Sequence, residues 1–103
     1  MDPTPLRVEV VEVRGECPLY QPGDFFYIHQ GYRLAGGSRE GFCLHALSVL
    51  LPYYVALSRG VKASELNLNH QGGEESYLQC PDPCDYTGGG TVILRVERES
   101  SGG

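Results

Sequence analysis

This chain of 103 residues predicts a small α+β domain: an antiparallel sheet of four to five strands with one long, Pro-kinked helix packed on it. Three observations carry the expectation. Apolar and polar residues alternate near both ends of the chain, in LRVEVVEVR (Leu6–Arg14) and TVILRVER (Thr91–Arg98). One long apolar block, Gly41–Gly60, lies between them. The resulting order, β-β-(β)-α-β-β, is that of a single α+β layer spanning residues 1–98, followed by a disordered tail at 99–103.

The first strand sets Leu6, Val8 and Val10 against Arg7 and Glu9, and the alternation slips at Val10-Val11, which fits a bulge or a strand covered on both faces. ECPLYQPGD then reads as a turn, with Pro22 at a position of fixed φ and Gly23 where φ can be positive. DFFYIH, from Asp24 to His29, is an aromatic-rich second strand, and a short third fits between Gln30 and Gly37. In the predicted helix, Cys43, Leu47, Leu50, Tyr54 and Leu57 form one apolar stripe, yet Leu44, Val49, Leu51 and Val55 are apolar too. Pro52 removes one hydrogen bond and predicts a kink, and Gly60 is a natural stop. A helix apolar nearly all round is covered on more than one side, so a homodimer or a larger protein partner is expected. A helical turn at Ala63–Leu66, a short strand at Tyr77–Cys80 and the strand Thr91–Arg98 complete the chain.

Eight basic and 13 acidic residues give a net charge of -5, which argues against nucleic acid or an anionic membrane as partner. No apolar stretch reaches the roughly 20 residues of a spanning helix. The opening MDPTPLRVEV has no secretory pattern, so a cytoplasmic location is expected, where thiols stay reduced.

The four cysteines are Cys17, Cys43, Cys80 and Cys84. Cys17 follows the first strand, Cys43 opens the helix and Cys80 leads into the last turn. Such boundary positions often converge at one end of a sheet. Four thiolates suit tetrahedral zinc or an iron–sulfur cluster. The spacing, one CPDPC pair and two isolated cysteines, matches the usual two-pair zinc pattern only weakly. Inert buried thiols are the structural alternative, a disulfide or redox pair the third. At a helix N-terminus Cys43 is also the best candidate nucleophile. His45 follows it by two residues, about 200° away if both are helical, so the pair shares a metal only if Cys43 precedes the first turn.

Asp24, Asp82 and Asp85 each lie in a turn, where aspartate caps backbone N–H groups; Asp82 and Asp85 are also candidate bases or partners of metal ligands. Gly88–Gly90 precedes a strand rather than a helix, so it reads as a tight turn into the last strand, or a place where a second backbone approaches closely, rather than a phosphate loop. Tyr20, Tyr53, Tyr54 and Tyr86 lie near the cysteine-bearing segments and suit a pocket wall or a subunit interface.

Three blocks, ECPLYQPGD, FCLHALSVLLPYYVALSRG and QCPDPCDYTGGGTVILRV, together make the chain resemble a family of small bacterial and archaeal proteins of about this size. The resemblance implies one cysteine in each block, at Cys17, Cys43 and Cys80, with Cys84 variable. It carries no established activity.

The leading expectation is a small cytosolic accessory or binding protein with a cysteine-based metal site. Zn²⁺ is preferred over iron–sulfur because zinc accepts mixed Cys/His ligation. Its ligands are Cys17, Cys43 and Cys80, with Cys84 or His45 as the fourth. A second expectation is a thiol-dependent enzyme using Cys43 as nucleophile with Asp82 or His45 as acid–base partner. A third is a non-catalytic interaction subunit with inert buried cysteines and no metal.

Overall fold

The computed structural model describes residues 3–70 and 72–99. Five strands form: β1 (Leu6–Gly15), β2 (Phe25–His29), β3 (Arg33–Ala35), β4 (Ser76–Gln79) and β5 (Gly90–Arg98). They lie in one sheet, ordered β3-β2-β1-β5-β4, and each neighbouring pair is antiparallel. The centre of the sheet falls where the alternation is cleanest. Val8, Val10, Val92, Leu94 and Val96 are buried on one face of β1 and β5, together with Phe26 and Ile28 of β2. The β1–β5 register shifts between Val10 and Glu12, leaving Val11 as the extra residue of a bulge. The doubled valine breaks the period of two, and the bulge restores Val13 to the packed face.

The single long helix expected over Gly41–Gly60 does not form. Instead α1 (Leu44–Leu50) has 7 residues and α2 (Tyr54–Ser58) has 5. Pro52 is the physical reason, because it has no N–H to donate and its ring crowds the carbonyl four residues back. Helical bonding stops with Leu51 N–H on Leu47 O at 3.2 Å, and Tyr53 N–H turns to Leu50 O at 3.0 Å. Tyr53 itself leaves the helical region (φ -122°, ψ -24°), and α2 restarts from its carbonyl, which accepts Leu57 N–H at 3.0 Å. Pro52 therefore breaks the segment rather than kinking it. At the other end, Gly41–Cys43 remains outside the helix, with Cys43 extended at φ -83° and ψ 123°. A 3₁₀ turn at Ala63–Leu66 and a last short helix, α3 (Cys84–Thr87), complete the elements.

Both α1 and α2 pack on the apolar face of the sheet through Ala46, Leu50 and Leu57, while Leu44, Leu51 and Val55 stay exposed. The opposite sheet face carries a half-exposed charge ladder. Arg95 donates to Glu9 at 3.1 Å, and Arg7 sits between Glu9 and Glu97 with its guanidinium over the Phe25 ring. Each such pair contributes only a few tenths to ~1 kcal/mol, so burial on the other face decides stability. Glu99, the first residue of the disordered tail expected at 99–103, instead donates its N–H to Pro5 O at 2.8 Å; residues 100–103 lie outside the described residues. Among the described residues, no helix is long and apolar enough to cross a membrane.

Candidate functional site

Two of the sequence-predicted cysteines meet around one tyrosine. The turn after β1 buries Tyr20 to 2% exposure, its ring stacked 6.4 Å from Phe26. Phe26 in turn meets Phe42 edge-on at 5.3 Å, and Phe42 directly precedes Cys43. The Cys17 sulfur accepts the Tyr20 N–H at 3.3 Å, and Cys43 N–H donates to Tyr20 Oη at 3.2 Å. Burial pushes the Tyr20 phenol above its ordinary range, outweighing the bond from Cys43 N–H, so the ring stays neutral at physiological pH. Beyond the pocket wall or interface expected of it, Tyr20 ties the Cys17 turn to Cys43, a link that local sequence does not reveal because the partners lie 3 and 23 positions away.

A second hub, at the turn residue Asp24, lies beside it. Asp24 Oδ2 accepts Gln21 N–H at 2.7 Å and pairs with Arg39 at 2.9 Å, while Oδ1 accepts the Ser38 hydroxyl at 2.8 Å. Burial works against its ionisation, but the bonds from Gln21, Arg39 and Ser38 prevail and hold the carboxyl below the usual range. The turn-capping role expected for Asp24 is present, and the two loop partners extend it across 15 residues of sequence.

The remaining candidates are dispersed. Cys80 is buried among the core side chains, with its N–H on Val92 O at 2.8 Å. Cys84 begins α3; its N–H donates to Thr91 Oγ1 at 3.3 Å, and its sulfur lies 4.0 Å from Asp85 Oδ1. His45 is exposed on α1. Asp82 accepts the Thr87 hydroxyl and, through its carbonyl, the Thr91 hydroxyl, so it organises the turn into β5 and bonds to neither Cys43 nor His45. Among the described residues, no group of three or more His, Cys, Asp or Glu side chains is arranged to hold a metal ion. Cys17, Cys43 and Cys80, with Cys84 or His45, do not form the tetrahedral donor set that zinc or an iron–sulfur cluster needs.

Gly90 explains part of this arrangement. A Cβ there would lie 2.6 Å from both Cys17 N and Glu16 C, so only glycine lets β5 start against the Cys17 turn. The chain is thereby folded into two neighbouring recesses that share Gly15 and Glu16. One, of 530 Å³, is flanked by Val13, Cys17, Tyr20 and Pro22; the other, of 440 Å³, by Arg14, Gln79, Cys84, Asp85 and Tyr86. The four highlighted tyrosines do not wall one pocket: Tyr20 and Tyr86 face different recesses, and Tyr54 lies elsewhere.

Tyr54 belongs to an apolar groove of 150 Å³ at the β3 edge, closed by Ile28, Leu34, Leu47, Leu50 and Leu51. There the layer between sheet and helices is left unsealed. Leu34 is 38% exposed and Tyr32 is 72% exposed; on the helical side Leu44, Leu51 and Val55 are 78, 64 and 53% exposed. Leu44 and Leu51 lie seven residues apart, two helical turns on one side of α1 and its end. The polar atoms among its lining side chains are the two phenols of Tyr32 and Tyr54.

Fold and surfaces together define a small two-layer α+β domain with one open apolar edge. Comparison with protein-family models, with curated proteins and with solved structures yields no match. The burial of the thiols gives the first testable outcome. In native protein Cys80 is expected to react with iodoacetamide at least about a hundredfold more slowly than Cys84, because it must wait for the core to open. Mass spectrometry of timed digests reads this, and equal rates at the two positions would contradict the packing described.

Proposed function

We propose that this chain is a non-catalytic interaction module that docks a protein partner along the apolar edge formed by β3, α1 and α2. The observation that carries the reading is the exposure of Tyr32, Leu34 and Leu51 in the lining of the groove, in a domain whose other large aliphatic side chains, Leu44 and Val55 apart, are at least half-buried. Contiguous apolar surface that a monomer leaves in water marks a contact site. The placement of the cysteines supports the same choice over a metal or thiol chemistry. Cys80 packs as a small hydrophobe and Cys17 and Cys43 fix loops through Tyr20, while Cys84, the one cysteine with a carboxylate near its sulfur, lies in the separate recess at α3.

Leu51→Glu tests it. At an exposed position this change is expected to alter stability by no more than about 0.5 kcal/mol. Dilute monomeric wild type should bind an apolar fluorescent dye such as anilinonaphthalene sulfonate, and the variant should lose most of that signal with its urea midpoint unchanged. A wild-type monomer that binds no dye would overturn the proposal.

A further inference from the structure

We infer that the occupant of this edge is a second copy of the chain, added strand to strand through β3. The inference rests on the docking reading above and supplies its partner and register. Strand β3 closes one end of the sheet, and among the described residues its backbone bonds only to β2. The β4 end differs: Tyr77 N–H donates to Leu68 O at 2.8 Å and Asn69 bridges Ser76, so that edge is partly covered. An open edge beside exposed apolar side chains invites another strand. Three residues of β3 offer too few backbone bonds to retain an extended peptide, so the occupant must also bring apolar surface to Leu34 and Leu51, which line the groove beside it.

A two-fold axis perpendicular to the sheet, beside β3, meets both demands. It runs the two β3 strands antiparallel, like every other pair in the sheet, and joins two five-stranded sheets into one. It keeps the helices of both copies on the same side and sets each exposed α1–α2 flank against its own equivalent.

Charge and side-chain facing select the register. Leu34 lies opposite Ile28 on the helix-covered face, whereas Arg33 lies opposite His29 and Ala35 opposite Tyr27 on the other. Centring the axis on Leu34 puts the two leucines side by side over the joined grooves and places Arg33 opposite the partner's Ala35. Centring it on Arg33 would oppose two guanidinium groups, which is unfavourable. Centring it on Ala35 would leave Leu34 opposite glycine, since Gly36 follows.

Sedimentation equilibrium across a dilution series, with two substitutions of opposite charge, tests this. Wild type is expected to dimerise reversibly. Ala35→Glu should tighten the dimer about fivefold, since each chain's new carboxylate faces Arg33 of the other, and Ala35→Arg should loosen it about as much. High salt should shrink both changes. Unchanged urea midpoints of dilute monomer confirm that neither variant acts through folding. A dimer indifferent to the sign of the charge at position 35, yet dissociated by Leu51→Glu, would overturn the strand pairing and leave the docking reading intact. A dye-binding strict monomer would overturn the second copy as partner but not the docking reading, and a strict monomer without dye binding would overturn both.

Discussion

Phe26→Ala is expected to lower stability by about 3–5 kcal/mol and to leave the chain marginally folded at 25 °C. Phe26 is 1% exposed and sits between two other rings, Tyr20 and Phe42. Truncation removes the burial of a full aromatic side chain and leaves a cavity where the sheet, the turn after β1 and the approach to α1 converge. The effect extends to the thiols. With the stacking lost, Tyr20 no longer holds the Cys17 turn and Cys43 in place, so both cysteines should label faster in whatever native protein remains. Urea denaturation followed by far-ultraviolet circular dichroism measures the loss. Phe26→Leu, which keeps most of the volume, should cost less than half as much. A cost below about 1 kcal/mol for the alanine variant would mean that the three rings do not form the centre of this core.

Asp24→Asn is expected to cost about 2 kcal/mol at pH 7, or a drop near 10 °C in melting temperature for a domain of this size. Asn keeps the shape and can accept from Gln21 N–H or Ser38, but it loses the charge that strengthens all three bonds, including the one from Arg39. The pH dependence follows from the sign of the shift. The folded-state pKa of Asp24 lies below its unfolded value, so the unfolded chain takes up the proton first as pH falls. The stabilisation is thus complete above the ordinary carboxylate range near ~4 and is lost as pH drops through the folded value. Wild type and variant should differ at pH 7 and converge in strong acid. A difference that stays constant down to pH ~2.5 would show that ionisation of Asp24 is not what ties the two loops.

Much of the sheet was legible because strand signals are local. Val8 and Val10 alternate with Arg7 and Glu9, and Leu94 and Val96 with Arg95 and Glu97, and a period of two identifies a half-buried strand without knowledge of its partner. The doubled valine at Val10-Val11 left a bulge and a strand covered on both faces equally open, and the pairing with β5 makes it a bulge. Pro52 was legible as a disturbance but not as an end. The apolar spacing continues past it from Leu50 to Tyr54 and Leu57, and only the packing of each side settles whether a proline bends or breaks a helix. The cysteines mislead for a related reason: placement at element boundaries does not say which boundaries meet.

The sequence by itself determined an α+β domain with its two central strands, the turn chemistry around Asp24 and the glycine-limited start of β5. These rest on spacing and backbone geometry within short segments. Tertiary structure alone decided that Tyr20 stands between Cys17 and Cys43, that Cys80 joins the core, and that the apolar layer stays open beside β3. Each depends on strand order and on contacts between residues far apart in the chain, and no local pattern records which edge of a sheet is left without a neighbour.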